Sequence, residues 1–314
     1  MKNILILGGG GLIGSELINR LILKNLNIVT VDKKVQLYSN NKNVHSYVID
    51  LTDNKQLPIL EKLITKADVI FFKIALLGNP KFSSDFAYAK EFIIVNTLTF
   101  LSIINMIKNS NVSKVIVDSS IAAISNIKNS CNMEEDISNY GAMNYYGLSK
   151  LLLEDIISFY FKDSKKSILV FRYPRVFSIN LQNVIHHLVK SIVKENKATI
   201  IGDSKRRFDF IHINDVARIN EQIIYKNITK GINFCHLTSG NTFSLMELVS
   251  AIKKNIGIVK NIDFIYKNDQ LIVTEPVENN LSMKKTMVKF GFTTKLNLND
   301  MIIEVYKKFY SKNR

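Results

Sequence analysis

A glycine-rich turn between an apolar run and a helical pattern is the feature that most restricts how this chain can fold. Residues 4–7 are continuously apolar, as in a strand that is buried on both faces of a parallel sheet. Four consecutive glycines follow at positions 8–11, and Gly14 precedes apolar residues at helical spacing over 17–22. Glycines let the backbone turn tightly and approach a phosphate group at the amino terminus of a helix. The pattern therefore predicts a strand, a phosphate-binding turn and a helix.

The run of glycines fits two spacings that are typical of dinucleotide-binding turns. Gly9 with Gly11 and Gly14 matches the general G-x-G-x-x-G fingerprint, whereas Gly8 with the same two glycines matches a wider G-x-x-G-x-x-G variant. The glycines alone do not choose between these two spacings. The alternative in either case is a glycine-rich turn that binds no nucleotide.

An acidic residue follows the second apolar run. Residues 27–31 form that run, and Asp32 ends it about twenty residues after the glycines, where a carboxylate accepts hydrogen bonds from an adenosine ribose. A carboxylate there repels a 2′-phosphate, so the sequence favours NAD over NADP as the cofactor. The adjacent Lys33 and Lys34 weaken this preference and leave NADP open.

Strand and helix patterns alternate through the first half of the chain. Further strands are predicted at 44–49, 67–72, 114–117 and 167–171, with an apolar helix at 92–107. This alternation is typical of an α/β fold with a Rossmann-type, doubly wound parallel sheet covered on both faces. We expect residues 1–177 to form this cofactor-binding domain.

The second half predicts a smaller α/β lobe for the substrate. Helical patterns occur at 184–193, 245–256 and 299–309, and we place short strands of this lobe at 199–201, 208–213 and 232–237. No linker rich in Pro, Gly or Ser separates the halves, so residues 178–314 should pack against the first domain with some crossing of the chain between the two.

Composition indicates a cytoplasmic enzyme. The net charge of +15 comes from scattered lysines without interleaved aromatic residues, so we predict a solvated surface and no nucleic-acid partner. The chain has two cysteines, Cys131 and Cys235, without Cys-x-x-Cys or a His/Cys cluster, and we expect neither a disulfide framework nor a metal site. Residues 92–107 are interrupted by polar side chains, so we interpret them as a helix buried on both sides and too short to insert into a membrane.

Tyr146 and Lys150 bring acid–base groups to one face of a predicted helix, because residues four apart are neighbours there. A tyrosine with its usual pKa of about 10 is a poor base at neutral pH, and a nearby ammonium would favour the phenolate. Ser120 follows the strand at 114–117, at the sheet edge where ligands bind. The structural alternatives are a packed aromatic, a solvated lysine and an ordinary strand-end turn.

Together these residues resemble the extended short-chain dehydrogenases/reductases, in the group of NAD-dependent epimerases and dehydratases that act on nucleotide sugars. The resemblance covers nearly the whole chain. It rests on Gly8-x-x-Gly11-x-x-Gly14, Asp32, Asp50-Leu51, Asn96, Ser119-Ser120, Tyr146-Gly-x-Ser-Lys150, Arg172-Tyr-Pro-Arg-Val-Phe177, Asp209-Phe-Ile-His, Thr238-Ser-Gly240 and Phe290-Gly-Phe292.

The resemblance implies a catalytic group of three residues. Tyr146 would transfer a proton, Lys150 would lower the pKa of Tyr146 and bind the nicotinamide ribose, and Ser120 would hold the sugar oxygen. Cofactor contacts are implied at Gly8, Gly11, Leu12, Ile13, Gly14, Asp32, Lys33, Asp50, Leu51, Lys73, Ile74, Ala75, Asn96, Tyr173 and Pro174. Substrate contacts, to a nucleotide-diphosphate sugar, are implied at Ser120, Arg175, Asn183, Arg206 and Arg207.

Departures from the family pattern bear on the reaction. Ile121 and Ala122 follow Ser120 where dehydratases carry an acid, which favours epimerisation or ketone reduction. Lys73 stands in a usually apolar loop, where it would touch a phosphate or point outward. Arg175 replaces an asparagine that is common in epimerases and could hold a pyrophosphate or a sugar carboxylate. Phe208 takes the place of an arginine, so Arg206 or Arg207 would have to reach the diphosphate.

Three functions therefore remain open. An epimerase would return the hydride that it removes and hold NAD tightly, whereas a 4-keto-sugar reductase would consume NAD(P)H. A protein that only binds a dinucleotide is the third alternative, because fold does not imply function. The resemblance also implies a homodimer in which the helices around 92–107 and Tyr146 pair with their copies in a four-helix bundle.

Overall fold

The computed structural model describes residues 1–34, 41–78, 82–125, 141–201, 207–258, 261–267 and 281–310. The strands are β1 (Lys2–Leu7), β2 (Leu26–Asp32), β3 (Val44–Val48), β4 (Val69–Phe72), β5 (Lys114–Ser120), β6 (Ser167–Tyr173), β7 (Arg175–Phe177), β8 (Lys197–Ile201), β9 (Arg207–His212), β10 (Gly231–His236), β11 (Thr242–Ser244) and β12 (Asp263–Lys267). The helices are α1 (Leu12–Leu21), α2 (Leu57–Lys66), α3 (Phe86–Ile93), α4 (Thr99–Asn109), α5 (Tyr145–Phe161), α6 (Val184–Glu195), α7 (Ile213–Tyr225), α8 (Leu245–Ile256), α9 (Lys284–Phe290) and α10 (Leu298–Tyr310).

Seven of the described strands form one parallel sheet in the order β10-β6-β5-β4-β1-β2-β3. Strand β1 lies between β2 and β4, with Leu5 opposite Val29 of β2 and Ile70 of β4. The direction of winding reverses between β1 and β4, and in such sheets ligands bind at the carboxyl ends of the strands beside this reversal. The predicted Rossmann-type fold is confirmed.

Apolar cores cover both faces of the large sheet. Helices α1, α7 and α9 pack on one face, and α2, α4 and α5 pack on the other. The four described apolar side chains of β1, from Ile4 to Leu7, alternate between these two cores and are at most 1% exposed. This arrangement explains why the first strand is a continuous apolar run.

The second lobe has two small sheets. Strand β9 lies between β7, parallel to it, and β11, antiparallel to it, while β8 pairs with β12. Helices α6, α8 and α10 enclose the core of this lobe. Our placement of residues 232–237 in this lobe is wrong, because β10 pairs in parallel with β6 at the edge of the large sheet. The chain thus enters the second lobe after Pro174 and returns to the large sheet through α7.

The helical stretch Phe86–Asn109 joins α3 and α4 through a π-helical turn at Ile94–Leu98. It is one described helix that is long and apolar enough to cross a membrane by length and composition alone, with 44% of its most apolar window buried in the protein. The expectation of a helix over 92–107 that is buried on both sides is wrong, since the helical stretch is longer and Leu98 within it is 45% exposed. One face packs against the sheet, and the other faces outward.

Candidate active site

The glycine turn is shaped by close backbone contacts. Gly8 has a φ of +89°, and its amide donates to the Val31 carbonyl at 2.7 Å. A Cβ on Gly14 would lie 2.2 Å from the Gly8 oxygen, and the Gly11 amide donates to that same oxygen at 3.1 Å. Side chains at Gly8 and Gly14 are therefore excluded, one by conformation and the other by space. These contacts explain why glycines are needed at the wider spacing, Gly8-Gly11-Gly14.

Beside the turn, the start of α1 is open to an anion. Gly11 precedes the helix, and no side chain caps the first turn, which includes Leu12 and Ile13. The Asp32 carboxylate accepts from the Gly10 amide at 2.9 Å and from the Lys34 amide at 3.1 Å. A glycine cradle, an uncapped helix end and a fixed carboxylate fit the pyrophosphate and ribose of a dinucleotide. The exposed Lys33 lies next to this carboxylate.

Asn96 holds the loop that follows β4. Its Oδ1 accepts from the Leu76 amide at 2.7 Å, and its Nδ2 donates to the Leu76 carbonyl at 3.1 Å and to Ser149 Oγ at 2.9 Å. The residue is 0% exposed. We therefore correct the interpretation of Asn96 as a cofactor contact: its amide is used by the protein to tie the loop containing Ile74 and Ala75 to α5.

Lys73 points into the protein. Its Nζ lies 2.5 Å from Asp118 Oδ1 and 2.8 Å from Asn220 Oδ1, and its side chain is 0% exposed. We expected the Lys73 ammonium to contact a phosphate or to point outward. Both expectations are wrong, because the ammonium is buried against Asp118 and Asn220. The backbone of Lys73 does border the turn, since a Cβ on Gly8 would lie 2.7 Å from the Lys73 carbonyl carbon.

The structure brings Ser120, Tyr146 and Lys150 together at the carboxyl edge of the sheet. Ser120 ends β5, and its side chain hydrogen-bonds that of Tyr146. The Tyr146 ring lies edge-on to Phe92, with 5.8 Å between ring centroids. The Lys150 Nζ is buried and donates to the Asp118 carbonyl at 2.9 Å. A hydroxyl, a phenol and an ammonium thus converge beside the glycine turn.

Burial dominates the ionisation of these groups. It raises the pKa of Tyr146, an effect that the Ser120 hydrogen bond opposes and the charge of Asp118 reinforces. The net direction is thus opposite to the lowered pKa that the resemblance implies, and a lowering by Lys150 stays a prediction. Burial also lowers the pKa of Lys150 to about 8, and the negative charges of Asp118 and Glu154 counteract it. Lys150 consequently changes charge close to physiological pH.

Helix α5 sits directly on the turn that follows β5. Asn144 caps the helix, with its Oδ1 accepting from the Gly147 amide at 2.8 Å. A Cβ on Gly147 would lie 2.3 Å from the Ala122 carbonyl oxygen, so the glycine beside Tyr146 permits this close packing. On the adjacent turn of the helix, Glu154 accepts from Ser119 Oγ at 2.6 Å and pairs with Arg172 at 2.7 Å.

Two predicted substrate residues have structural partners. The Arg207 guanidinium donates to the Thr242 carbonyl at 2.7 Å and pairs with Glu247 at 2.9 Å. The Asn183 Oδ1 caps α6 by accepting from the Ile185 amide at 2.9 Å. In this structure both side chains therefore have a role within the second lobe, and their direct contact with substrate stays a prediction. Arg206 lies outside the described residues.

Arg175 lies at the join between the two lobes. Its guanidinium carbon is 4.7 Å from the centroid of the Phe208 ring, a cation–π geometry. Burial lowers the pKa of Arg175 to about 10, and the charge of Asp209 opposes this. Burial raises the pKa of Asp209 to about 7 although the hydroxyls of Thr238 and Ser239 donate to it. Arg175 remains charged and is held by stacking.

The remaining predicted cofactor residues border the same edge of the sheet. The Asp50 carboxylate accepts from the amide and hydroxyl of Thr52, at 2.9 and 2.7 Å, and Leu51 is buried. The Tyr173 hydroxyl donates to Asp118 Oδ1 at 3.0 Å, so its side chain faces the interior. Cofactor contacts by Asp50 and Leu51, and by the backbone of Tyr173 and Pro174, stay predictions.

Sequence reasoning missed the role of Asp118. We singled out the hydroxyls after it, yet its carbonyl holds Lys150 and its carboxylate holds Lys73. The available signal was an acid inside an apolar strand, because a buried charge normally has a partner. Gly78 was also missed: a Cβ there would lie 2.5 Å from the Tyr146 ring, and nothing in the local pattern indicates this contact.

The sheet order, the glycine cradle and the Ser/Tyr/Lys cluster define a Rossmann-fold protein built like a dinucleotide-dependent sugar-modifying enzyme. The model of the NAD dependent epimerase/dehydratase family matches residues 4–234. The chain belongs to this family.

Known proteins resemble it along its whole length. A UDP-glucose 4-epimerase of Mycoplasma genitalium is 27% identical, with 98% of this chain and 96% of that protein covered. The UDP-glucuronic acid 4-epimerase of Bacillus cereus, solved with UDP-glucuronic acid and NAD, has a TM-score of 0.81 at 22% identity, covering 98% of this chain and 100% of that chain. The UDP-glucose 4-epimerase of Thermotoga maritima has a TM-score of 0.80 at 20% identity, with 99% of each chain covered. These two structures share the fold.

Proposed function

We propose that the protein is an NAD-dependent epimerase of a nucleotide-diphosphate sugar. The observation that carries this proposal is the meeting of Ser120, Tyr146 and Lys150 at the same sheet edge as the glycine turn. A dinucleotide and a sugar hydroxyl can lie side by side only where a phosphate cradle and a proton-transferring group are neighbours.

The residues that would hold NAD are those of the glycine turn, the open start of α1 and Asp32. When bound, NAD supplies a hydride acceptor and donor for one sugar carbon. Lys150 would orient the nicotinamide ribose from its position on the Asp118 carbonyl. The positive charge of Lys150 would favour the phenolate of Tyr146, which burial disfavours.

Tyr146 would remove the proton from the sugar hydroxyl and later return it. Ser120 would keep that oxygen within hydrogen-bond reach, because its side chain already interacts with the Tyr146 phenol and opposes the rise in its pKa. Gly78 and Phe92 hold the phenol ring from two sides, so the proton acceptor is fixed before substrate enters.

Arg175 supports an anionic substrate. Its guanidinium lies at the join of the lobes, stacked on Phe208, where a diphosphate or a sugar carboxylate can accept two parallel hydrogen bonds. Relatives named for UDP-glucose and UDP-glucuronic acid support a UDP-hexose or UDP-uronic acid as the substrate. Ile121 and Ala122 follow Ser120 in the chain at the positions where the resemblance to dehydratases would require an acid, and this favours epimerisation over elimination.

A panel of nucleotide sugars tests this proposal. Purified protein with UDP-glucose, UDP-galactose and UDP-glucuronic acid should give the epimer of at least one of them without added NAD(P)H. An epimerase returns the hydride that it removes, so the absorbance of reduced nicotinamide should not rise or fall as product accumulates. Consumption of NAD(P)H equal to product would instead identify a reductase, and a panel without any conversion would reject the proposed activity.

We further propose that the protein is a cytoplasmic homodimer. Apolar side chains on the outward face of the helices next to the site support a dimer: Phe86, Leu98, Leu148 and Phe159 are each between 37% and 78% exposed. An exposed apolar surface of this kind on neighbouring helices matches the self-complementary interface of a two-fold dimer. The dimer would bury these residues by pairing the helical stretch Phe86–Asn109 and α5 with their copies.

A further inference from the structure

A closed ring of hydrogen bonds lies beneath the proposed catalytic residues. Lys73 Nζ donates to Asp118 Oδ1 and to Asn220 Oδ1, the Tyr173 hydroxyl donates to Asp118 Oδ1 at 3.0 Å, and Asn220 Nδ2 reaches the Tyr173 oxygen at 3.4 Å. Lys73 directly follows β4, and the other three residues come from β5, β6 and α7; each of the four is at most 7% exposed. The ring therefore joins three strand ends to a helix without exposure to solvent.

Stability is a poor explanation for a charge pair in this place. Two ions lose their hydration on burial, and apolar residues of similar volume often give an equal or more stable protein. The Lys73 ammonium and the Asp118 carboxylate have side chains that are 0% and 9% exposed. Their retention beside the site points to a role in which the charges themselves act.

Asp118 connects the ring to the proposed chemistry. Its carbonyl oxygen accepts from Lys150 Nζ at 2.9 Å, and Ser120 lies two residues further along β5. On the opposite face of the strand, Ser119 is held by Glu154 at 2.6 Å. The end of β5 is thus fixed from both faces, and the position of the Lys150 ammonium depends on it.

We propose that the buried Lys73–Asp118 pair is a positioning element for Lys150 and Tyr146, and that its two opposite charges balance each other at Lys150. This inference rests on the proposed function, because it concerns neighbours of the residues assigned there to proton transfer. The pair acts through the Asp118 carbonyl and through its electric field, and touches neither substrate nor cofactor.

The field of the pair has a definite sign at Lys150. The Asp118 charge raises the pKa of Lys150 and the Lys73 charge lowers it, next to the larger effect of burial. Removal of Asp118 should therefore lower this pKa below its value of about 8, whereas removal of Lys73 should raise it. Other titratable or charged groups around the network are Tyr146 and Glu154 on α5, Tyr173 and Arg172 on β6, and Cys235 and His236 on β10.

The test compares Lys73→Met, Asp118→Asn and the double variant, which has no charge at either position. The pKa of Lys150 is measured by NMR of protein carrying 13C at the lysine ε-carbon, with the signal assigned by its loss in Lys150→Met. We expect shifts of opposite sign in the two single variants and an intermediate value in the double variant. The alkaline limb of kcat against pH should move in the same directions, and a misplaced Lys150 should lower kcat in the single variants on the order of 100-fold.

Arg218→Met is the matched control, because it breaks another shielded ion pair, 2.6 Å from Asp215, that makes none of the described contacts of this network. It should leave the Lys150 pKa unchanged. Equal shifts, shifts of one sign, or none in the single variants would overturn the inference, even if both variants were less stable. If the wild-type protein converts no sugar, the proposed function fails, while the NMR shifts still decide this inference.

Discussion

Asp32 is the side chain that we expect to select the cofactor. Its carboxylate is fixed beside the glycine turn by the amides of Gly10 and Lys34, and a Cβ on Gly10 would lie 3.0 Å from it. A fixed carboxylate accepts hydrogen bonds from a ribose and repels a phosphate on the same ribose. Lys33 and Lys34, which follow Asp32, have exposed side chains. Among the described contacts, no hydrogen bond fixes either ammonium group beside the Asp32 carboxylate.

We therefore predict that NAD binds more tightly than NADP. Dissociation constants from calorimetry should differ in favour of NAD, and Asp32→Ser should reduce the difference by weakening NAD and strengthening NADP. Asp53→Ser is a suitable control, since Asp53 caps a short turn away from the glycines. Tighter binding of NADP by the wild-type protein would reject the role given to Asp32.

Residue partners far apart in sequence were the hardest to predict. Lys73 and Asp118 are 45 positions apart, and Asn96 meets Leu76 across 20 positions. Local spacing does not encode such contacts, so a lysine near a phosphate and a lysine in a buried pair look alike in the sequence. Tyr146 and Lys150 were predictable, because a spacing of four residues on a helix fixes their relation.

At the scale of elements, the seating of α5 on the end of β5 determines the geometry of the site. The first turn of α5 carries Tyr146, and the Gly147 backbone lies against the Ala122 carbonyl. A glycine inside a helix normally costs about 1 kcal/mol relative to alanine. The presence of Gly147 here indicates that the close approach of α5 to the Ala122 carbonyl stabilises the protein by more than the lost helix propensity costs.

Gly147→Ala should therefore destabilise the protein instead of stabilising it. The new Cβ would lie 2.3 Å from the Ala122 oxygen, so α5 must shift and carry Tyr146 away from Ser120. We expect a lower melting temperature and a loss in kcat on the order of 100-fold, with NAD affinity less affected. Asp155→Ala, at an exposed position of the same helix, should keep full activity. An active and more stable Gly147→Ala protein would contradict the proposed seating.

Element types were largely predictable, whereas element partners were not. The helix predicted at 245–256 coincides with α8, because it has a Ser244–Glu247 capping box and a glycine at its end. The strand at 232–237 was found but assigned to the wrong sheet. Its apolar pattern suits either sheet, and its pairing with β6 follows from the packing of α7 against α1, a contact between distant segments.

At the scale of the whole molecule, the chain crosses between two cores and leaves an apolar helix face outward. The parallel direction of the strands in the large sheet follows from the alternation of strands and helices. Leu98 and Leu148 lie on that outward face, at 45% and 37% exposure. Neither leucine is buried in the core of the chain, so the core does not explain why these two positions are apolar.

We predict a dimer in light scattering at micromolar concentration. Leu98→Glu combined with Leu148→Glu should give a folded monomer, because charges on a two-fold interface face their copies and repel. Tyr225→Glu, at a 56% exposed position on α7, is the control and should remain dimeric. A wild-type monomer would remove this proposal without affecting the proposed chemistry.

The central claim is that Tyr146 transfers the proton in an NAD-dependent sugar epimerase, and Tyr146→Phe tests it most directly. The phenyl ring keeps the contacts with Phe92 and Gly78 and lacks only the hydroxyl. With a nucleotide sugar that the wild-type protein converts, we predict unchanged NAD affinity and a kcat reduced on the order of 100-fold to 10,000-fold. A Tyr146→Phe protein that converts the sugar at the wild-type rate would contradict the account.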